Sequence, residues 1–327
     1  MPTPTSQLLD IPGYESVWRV PCAGTVAFVA LHAVLRGRAF GGIRIREYES
    51  EQDALDDALA LSRAMSRKVV LTGIDGGGGK SVLMAPGPEL DRSACVAALG
   101  EFIESLEGRY CCGPDLGFAA ADDVALRSAT RFVAPEGMSA STADSVLAAL
   151  LAACPSPRRV AISGLGAVGL PLAHLLRARG VEVIAADVHP VECFELVDPA
   201  TIHSTECDVF APCAAGAVLN AETIPELQCA VVCGGANNPC ATPEDIDRLH
   251  ERGIVYVPDL IANCGAAIVG ASESLGQGQL IAERLAAVGP RMTEILAEAA
   301  RRGLSPHHVA VEAADARIAS LRSIANA

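Results

Sequence analysis

Two glycine-rich runs, and the charged residues beside them, hold the side chains of this sequence that are placed to do chemistry. The first run is Gly164-Leu165-Gly166-Ala167-Val168-Gly169. It follows an apolar stretch (residues 159–163) and opens an apolar, helix-like segment from Ala167 to Arg179; a second apolar stretch, Val181 to Ala186, ends at Asp187. A strand, a G-x-G-x-x-G turn, a helix, a second strand and an acid about 20 residues on form the Rossmann dinucleotide fingerprint. Gly164 permits the tight turn. Gly166 offers no side chain to block a pyrophosphate resting on the amides at the helix N-terminus. Gly169 lets helix and strand pack closely. Asp187 can accept hydrogen bonds from a ribose hydroxyl, and its charge repels a 2′-phosphate, so the expected cofactor is NAD. The second run is Gly76-Gly77-Gly78-Gly79-Lys80-Ser81. It is not a phosphate-binding P-loop, because the glycine required five positions before Gly79 is Ile74. Four consecutive glycines cost backbone entropy. They imply a flexible surface loop, or else a place that needs close backbone approach or positive φ. With Lys68 upstream in an apolar stretch, the run reads as a site where a lysine meets a substrate.

The elements that must position these residues follow from periodicity and punctuation. Residues from Tyr14 to Leu35 alternate in places and predict a strand hairpin. Ser50-Glu51-Gln52-Asp53 reads as a capping box opening a helix through Met65, with Ala54, Leu55, Ala58, Leu61 and Met65 at helical spacing. Asp91 to Leu106 predicts a second helix, and Lys68 to Pro86 between them predicts strand broken by the glycines. From Met138 onward, a helix to Ala153 precedes strands near 159–163, 181–186, 207–211, 229–233 and 253–257, alternating with helices. That rhythm implies a doubly wound parallel sheet. Helical patterns over Leu280–Arg302 and Pro306–Ser323 close the chain.

Composition sets the bounds. The 327 residues suggest about two domains. Half the residues are hydrophobic and only 4% are aromatic, so small aliphatic side chains make the core. A formal net charge of −14 argues against nucleic acid or an anionic membrane as partner. No apolar run reaches membrane-spanning length, and residues 1–10 lack the features of a signal peptide. The 12 cysteines contain no C-x-x-C pair and the 7 histidines do not cluster with them. Reduced, mostly buried thiols, no metal site and a cytoplasmic location are therefore expected.

Several stretches resemble the amino-acid dehydrogenase family of glutamate, leucine, phenylalanine and valine dehydrogenases. They are Phe40-Gly41-Gly42-Ile43-Arg44, Met65-Ser66-Arg67-Lys68, Gly76 to Lys80, Gly113-Pro114-Asp115-Leu116-Gly117, Asp208 to Cys213, Gly235-Ala236-Asn237-Asn238 and Pro258-Asp259 to Asn263. The similarity runs in order over nearly the whole chain and is greatest to the phenylalanine and leucine branch. It implies an α/β protein of two domains. Residues 1–137 would be a substrate and catalytic domain, and 138–305 a Rossmann NAD-binding domain. Residues 306–327 would form a helix returning to the junction, with the active site in the cleft between domains.

The activity implied is reversible, NAD-dependent oxidative deamination of an apolar L-amino acid to the 2-oxo acid and ammonia. Two alternatives stand beside it: a dehydrogenase for an unusual amino acid in a biosynthetic pathway, and a catalytically silent NAD-binding paralogue. By resemblance, Lys68 would bind the substrate carboxylate, Lys80 would activate water and Asp115 would exchange protons with the amino group. Phe40, Gly41, Gly113, Leu285, Val288 and Asn263 would complete the substrate site. The side-chain pocket so formed has no cation for a second carboxylate. The cofactor would be met by Gly164, Gly166, Ala167, Val168, Gly169, Asp187, Val188, Thr142, Cys213, Ala214 and Asn237. A homo-oligomer is expected, although the N-terminal arm in which relatives build subunit contacts is short. The segment from Asp187 to Cys207 is also short and lacks an expected helix.

Overall fold

The computed structural model describes residues 6–135, 137–214 and 216–325. The chain divides into two compact units: residues 1–136, 270–278 and 314–327 form the first, and 137–269 with 279–313 the second.

The first unit is organised by helix α1 (Glu51–Leu71). Ser50 caps it: its Oγ accepts from the Asp53 amide at 3.2 Å and donates to the Asp53 carboxylate at 2.6 Å. The apolar face of α1 (Ala54, Ala58, Leu61, Val69, Val70) is buried. The helix runs six residues beyond Met65, so Lys68 lies on its last turn and not in strand. The sheet beneath it comprises β1 (Gln7–Leu9), β2 (Ser16–Cys22), β3 (Thr25–Leu31), β4 (Ala39–Phe40), β5 (Ile43–Arg46), β6 (Gly77–Met84) and β7 (Tyr110–Cys111). Its order is β1-β2-β3-β6-β4-β7, with β5 also paired to β6. The β2–β3 hairpin turns at Ala23 and Gly24, whose φ angles are 48° and 105°. Helix α2 (Arg92–Ser105), capped by Asp91, and α3 (Ala120–Ala129) cover the opposite face through Cys95, Val96, Leu99, Ile103 and Leu126.

The glycine run does not break the sheet, contrary to the reading above. Gly77, Gly78 and Gly79 lie within β6, the central strand. None has a positive φ. What they require is proximity. A Cβ on Gly77 would stand 1.8 Å from the Ala33 carbonyl oxygen, and one on Gly78 would stand 2.0 Å from the Ser66 nitrogen of α1. Helix and strand are therefore in backbone contact. Ser66 fixes that contact: its Oγ accepts from the Gly78 amide at 2.9 Å and lies 2.9 Å from His32 Nδ1.

In the second unit, α4 (Ser139–Ala153) precedes a five-stranded parallel sheet. Its strands are β8 (Arg159–Ser163), β9 (Glu182–Ala186), β10 (Val209–Pro212), β11 (Val231–Val232) and β12 (Val255–Tyr256), in the order β12-β11-β10-β8-β9. The order reverses at β8, giving the switch point of a doubly wound sheet. Helix α5 (Gly169–Arg177) joins β8 to β9 and α6 (Pro243–Glu251) joins β11 to β12. Between β9 and β10 stand a 3-10 turn at Ile202–Ser204 and a single parallel bridge from Ala185 to Leu196. The described residues between β9 and β10 thus contain no α-helix, as the short segment implied.

Past β12 come α7 (Asp259–Ala262), α8 (Gly265–Ser274), α9 (Ile281–Ala286), α10 (Val288–Arg302) and α11 (Pro306–Ala325). The pattern expected as one helix over Leu280–Arg302 is thus two, joined at Ala287. Within the first unit, Ala314, Ile318 and Leu321 of α11 pack on Ala33, Leu35 and Val70. No helix of the described residues is long and apolar enough to cross a membrane.

Candidate active site

Lys80 sits on β6 opposite Ala30 of β3 and is buried. Its Nζ lies 2.7 Å from Asp115 Oδ2. Asp115 is carried by the loop after β7, which is laced along β5: the Ile43 amide donates to the Gly113 carbonyl at 2.8 Å and the Ile45 amide to the Leu116 carbonyl at 2.9 Å. Gly117 (φ 78°) is required there, since a Cβ would lie 1.8 Å from the Ile45 carbonyl oxygen. Gly42 leaves the space the ion pair occupies; its Cβ would meet Asp115 Cβ at 3.2 Å and Lys80 Nζ at 3.3 Å.

Burial pulls the Lys80 ammonium below its ordinary pKa, and Asp115 acts against that pull. Burial by itself would raise the Asp115 pKa, but the Lys80 and Arg44 cations hold it down to about 2. Arg44 had no role in the sequence reading. Its Nε donates to Asp115 Oδ2 at 3.2 Å, while its Nη1 reaches both oxygens of Asp57, at 3.1 and 3.2 Å. Tyr48 Oη donates to Asp57 Oδ2 at 2.5 Å. This network joins β5, α1 and the segment between them, and no local spacing signals it.

Lys68 is buried on the helix laid against β6. Gly41 is fixed by its neighbours, because its Cβ would stand 1.8 Å from the Gly79 carbonyl oxygen. Phe40 is buried among Val69, Ile74, Cys111 and Ala271, against Gly76. A Cβ on Gly113 would meet only Ala134 Cβ, at 3.3 Å, and the Gly41 carbonyl oxygen at 4.0 Å. Leu285 and Val288 belong to the second unit, on α9 and α10. Leu285 is half-buried and Val288 fully buried.

The second unit carries the glycine turn. Gly164 adopts φ 97°, and a Cβ there would meet Ala214 Cβ at 2.8 Å. A Cβ on Gly169 would stand 1.9 Å from the Gly164 carbonyl oxygen. At Gly166 a Cβ would meet nothing within 4 Å, so that position opens outward. Ala167 and Val168 precede α5, and the Val168 side chain fills the place a Gly235 Cβ would take, 2.6 Å away. The turn therefore fits a pyrophosphate: two glycines are needed for packing and the third leaves open space before a helix N-terminus.

Asp187 does more than stand at a strand end. Its Oδ2 accepts from the Leu165 amide at 2.7 Å and its Oδ1 from the His189 amide at 2.9 Å. These amides lower its pKa. Val188 beside it is 79% exposed, an apolar side chain bare at the mouth of the turn.

Nearby, Asn263 Nδ2 donates to Asn237 Oδ1 at 2.9 Å and to the Gly235 carbonyl at 3.1 Å. Thr142 Oγ1 accepts from the Ala266 amide at 3.1 Å. Asp259 holds the Asn238 amide at 3.0 Å and the Tyr256 hydroxyl at 3.2 Å. Asp259 thereby braces the loop that bears Asn237, a role its sequence position does not signal. Cys213 Sγ accepts from the Gly235 amide at 3.4 Å, and burial pushes its thiol up to about 11, so it is not poised as a nucleophile. All 12 cysteines are free. The described residues contain no group of histidine, cysteine and acidic side chains able to hold a metal ion.

Comparison with known proteins accounts for this arrangement. The model of the Glu/Leu/Phe/Val dehydrogenase dimerisation domain matches residues 22–130, and that of Glutamate/Leucine/Phenylalanine/Valine dehydrogenase matches residues 186–327. The chain belongs to this family. It is 34% identical over 325 residues to a leucine dehydrogenase of Geobacillus stearothermophilus, covering 92% of this chain and 89% of that one. It is 36% identical over 286 residues to a phenylalanine dehydrogenase of Lysinibacillus sphaericus, covering 78% and 75%. Among solved structures, L-tryptophan dehydrogenase from Nostoc punctiforme superposes with a TM-score of 0.81 at 30% identity, covering 95% of this chain and 97% of that one. The family is a group of NAD(P)-dependent amino-acid dehydrogenases.

Proposed function

We propose that this protein catalyses the reversible, NAD-dependent oxidative deamination of an apolar L-amino acid to its 2-oxo acid and ammonia. The observation that carries the reading is the ion pair of buried Lys80 with half-buried Asp115, set in the framework of a family of amino-acid dehydrogenases. Lys68 anchors the substrate carboxylate. Asp115 accepts a proton from the amino group. The dinucleotide, when bound, supplies the hydride acceptor for Cα. Lys80, brought below its usual basicity by burial, takes a proton from the water that attacks the resulting imine carbon. Asp115 returns its proton to the nitrogen of the carbinolamine, ammonia leaves as the C–N bond breaks, and the hydroxyl proton passes to the freed Asp115 carboxylate, leaving the 2-oxo acid. A hydrogen bond of 2.7 Å between Lys80 and Asp115 gives the proton a direct path within the pair. Asn237 and Asn263, tied to each other, and Thr142 orient the nicotinamide end. Homo-oligomerisation belongs to the same proposal, on the strength of the matched dimerisation domain.

The apolar choice rests on Phe40 and Gly113 of the first unit, neither of which offers a positive charge. A glutamate side chain would bring an unpaired carboxylate into their company. A tenfold preference needs only about 1.4 kcal/mol, less than such burial costs. An NADH absorbance screen over the L-amino acids, with 2-oxo acids and ammonia in reverse, is expected to show phenylalanine or a branched-chain amino acid at least tenfold above glutamate and aspartate in kcat/KM. Glutamate as the best substrate would overturn the pocket assignment.

NAD is proposed over NADP because Asp187 presents its charge beside the turn. Asp187→Ala removes the ribose acceptor and also the brace on Leu165, so binding of both dinucleotides weakens. Their ratio is the diagnostic: the NAD/NADP preference in kcat/KM should fall by about tenfold, the equivalent of about 1.4 kcal/mol. An unchanged ratio means that another residue reads the ribose.

A further inference from the structure

Asp115 Oδ2 is shared. It takes Lys80 Nζ at 2.7 Å and Arg44 Nε at 3.2 Å, so the two cations stand within about 6 Å of each other, the range in which like charges shift a pKa. The arginine is not free to turn away. Its Nη1 is gripped by both oxygens of Asp57, and Asp57 is held in turn by the Tyr48 hydroxyl. Arg44 is 12% exposed at the side chain and Lys80 is 7% exposed, so solvent screens the pair poorly. With Lys80 protonated, the four charges of Arg44, Lys80, Asp57 and Asp115 sum to zero. Once Lys80 has lost its proton, Arg44 is the cation left beside Asp115.

We infer that Arg44 is a positioning residue for the reaction: clamped by Asp57, it keeps Asp115 ionised and aimed at Lys80 while favouring the deprotonated form of Lys80. This rests on the reading that Lys80 acts as a base. The groups that face Lys80 have opposed effects. Asp115 from the loop after β7 and Asp57 from α1 favour the ammonium; Arg44 from β5 disfavours it. Lys68 lies on the same helix as Asp57, and Tyr48 stands behind Asp57. Tyr110 and Cys112 flank the strand neutral, their pKa values raised by burial. The β3 neighbours at this register, Ala30 and Leu31, carry no titratable group.

The signs follow from Coulomb's law and separate this role from a merely structural one. Removing the Arg44 charge raises the Lys80 pKa, so the acid limb of the kcat/KM profile moves to higher pH. Removing the Asp57 charge lowers the Lys80 pKa, so the limb moves to lower pH. Measured with one amino-acid substrate and saturating NAD, Arg44→Met should shift the limb up by about 0.5–1 unit with a lower kcat. Asp57→Asn should shift it down. Arg44→Lys, which keeps the charge without the fork, should leave the limb near its wild-type place while kcat falls. General damage to the fold would not move the limb in opposite directions. Shifts of the same sign, or none, overturn the inference. If Arg44→Met does not fold, the Asp57→Asn shift alone decides by its sign. Lys80→Ala, assayed in parallel, distinguishes the two levels. An inactive Lys80→Ala with an unmoved limb in the other variants defeats only the role of Arg44. An active Lys80→Ala defeats both readings.

Discussion

Lys80→Ala is expected to lower turnover by about 10²–10³-fold, the usual loss when one charged group acting on the reacting atoms is removed. The ammonium occupies a closed position between Gly42 and Asp115, and no other cation of the described network reaches that place: Arg44 approaches the same Asp115 oxygen with a fork already committed to Asp57. Dinucleotide affinity should survive, because the turn at Gly164–Gly169 and its brace Asp187 belong to the second compact unit. The two readouts, NADH formation and dinucleotide binding followed by fluorescence, should therefore part company. The fold should tolerate the change, since Asp115 keeps the Arg44 partner and its backbone anchorage along β5. Activity within about threefold of the wild type would refute the catalytic assignment, as that loss amounts to less than 1 kcal/mol of transition-state stabilisation.

What the sequence disclosed about this framework, and what it hid, divides along the range of the interactions. The capping of α1 by Ser50 and the alternation of strand and helix in the second unit are local signals, and they read directly. The short segment after Asp187 and its lack of a helix were visible by counting; only a 3-10 turn and a single bridge stand between β9 and β10. The glycine run misled as a break in the strand, because propensity treats four glycines so, while its other reading, close backbone approach, is what the geometry shows. The reason for them lies 12 residues upstream, in the backbone of α1 at Ser66, which sits on β6 at Gly78. The same limit applies to the end of α1: a helix through Met65 was expected, but packing on β6 carries it to Leu71. At the candidate site, Lys80 was marked by the glycine run before it, whereas Asp115 and the roles of both residues were pointed to by family resemblance. Arg44 stood in a family-resembling stretch without a role, and Asp57 and Tyr48 carried no signal, since the convergence of the three depends on β5 pairing with β6 beneath α1.

That convergence gives the largest expected effect on stability. Gly78→Ala should destabilise the protein by on the order of 3 kcal/mol or more, at or above the upper end of ordinary overpacking costs. The added Cβ would fall 2.0 Å from the Ser66 nitrogen, 2.5 Å from the Met65 carbonyl carbon and 2.6 Å from the Ser66 Cα. All three are backbone atoms of a helix interior, so no side chain can rotate to relieve the clash. The helix must lift from the strand. Lifting breaks the hydrogen bond that the Gly78 amide donates to Ser66 Oγ and loosens the burial of Ala58, Leu61 and Val69. Gly79→Ala is the comparison. Its Cβ would meet Leu31 Cδ2 at 2.7 Å and the Tyr110 ring at 2.8 Å, side-chain atoms that can shift by a few tenths of an ångström, so its cost should be smaller. Chemical denaturation of both variants, followed by circular dichroism, checks the order. The loss should be accompanied by a raised KM in any Gly78→Ala protein that folds, because Lys68 rides on the displaced helix. Equal stability of Gly78→Ala and the wild type would mean that α1 can sit further from β6 at no cost, and that the glycines answer to something other than the approach of helix and strand.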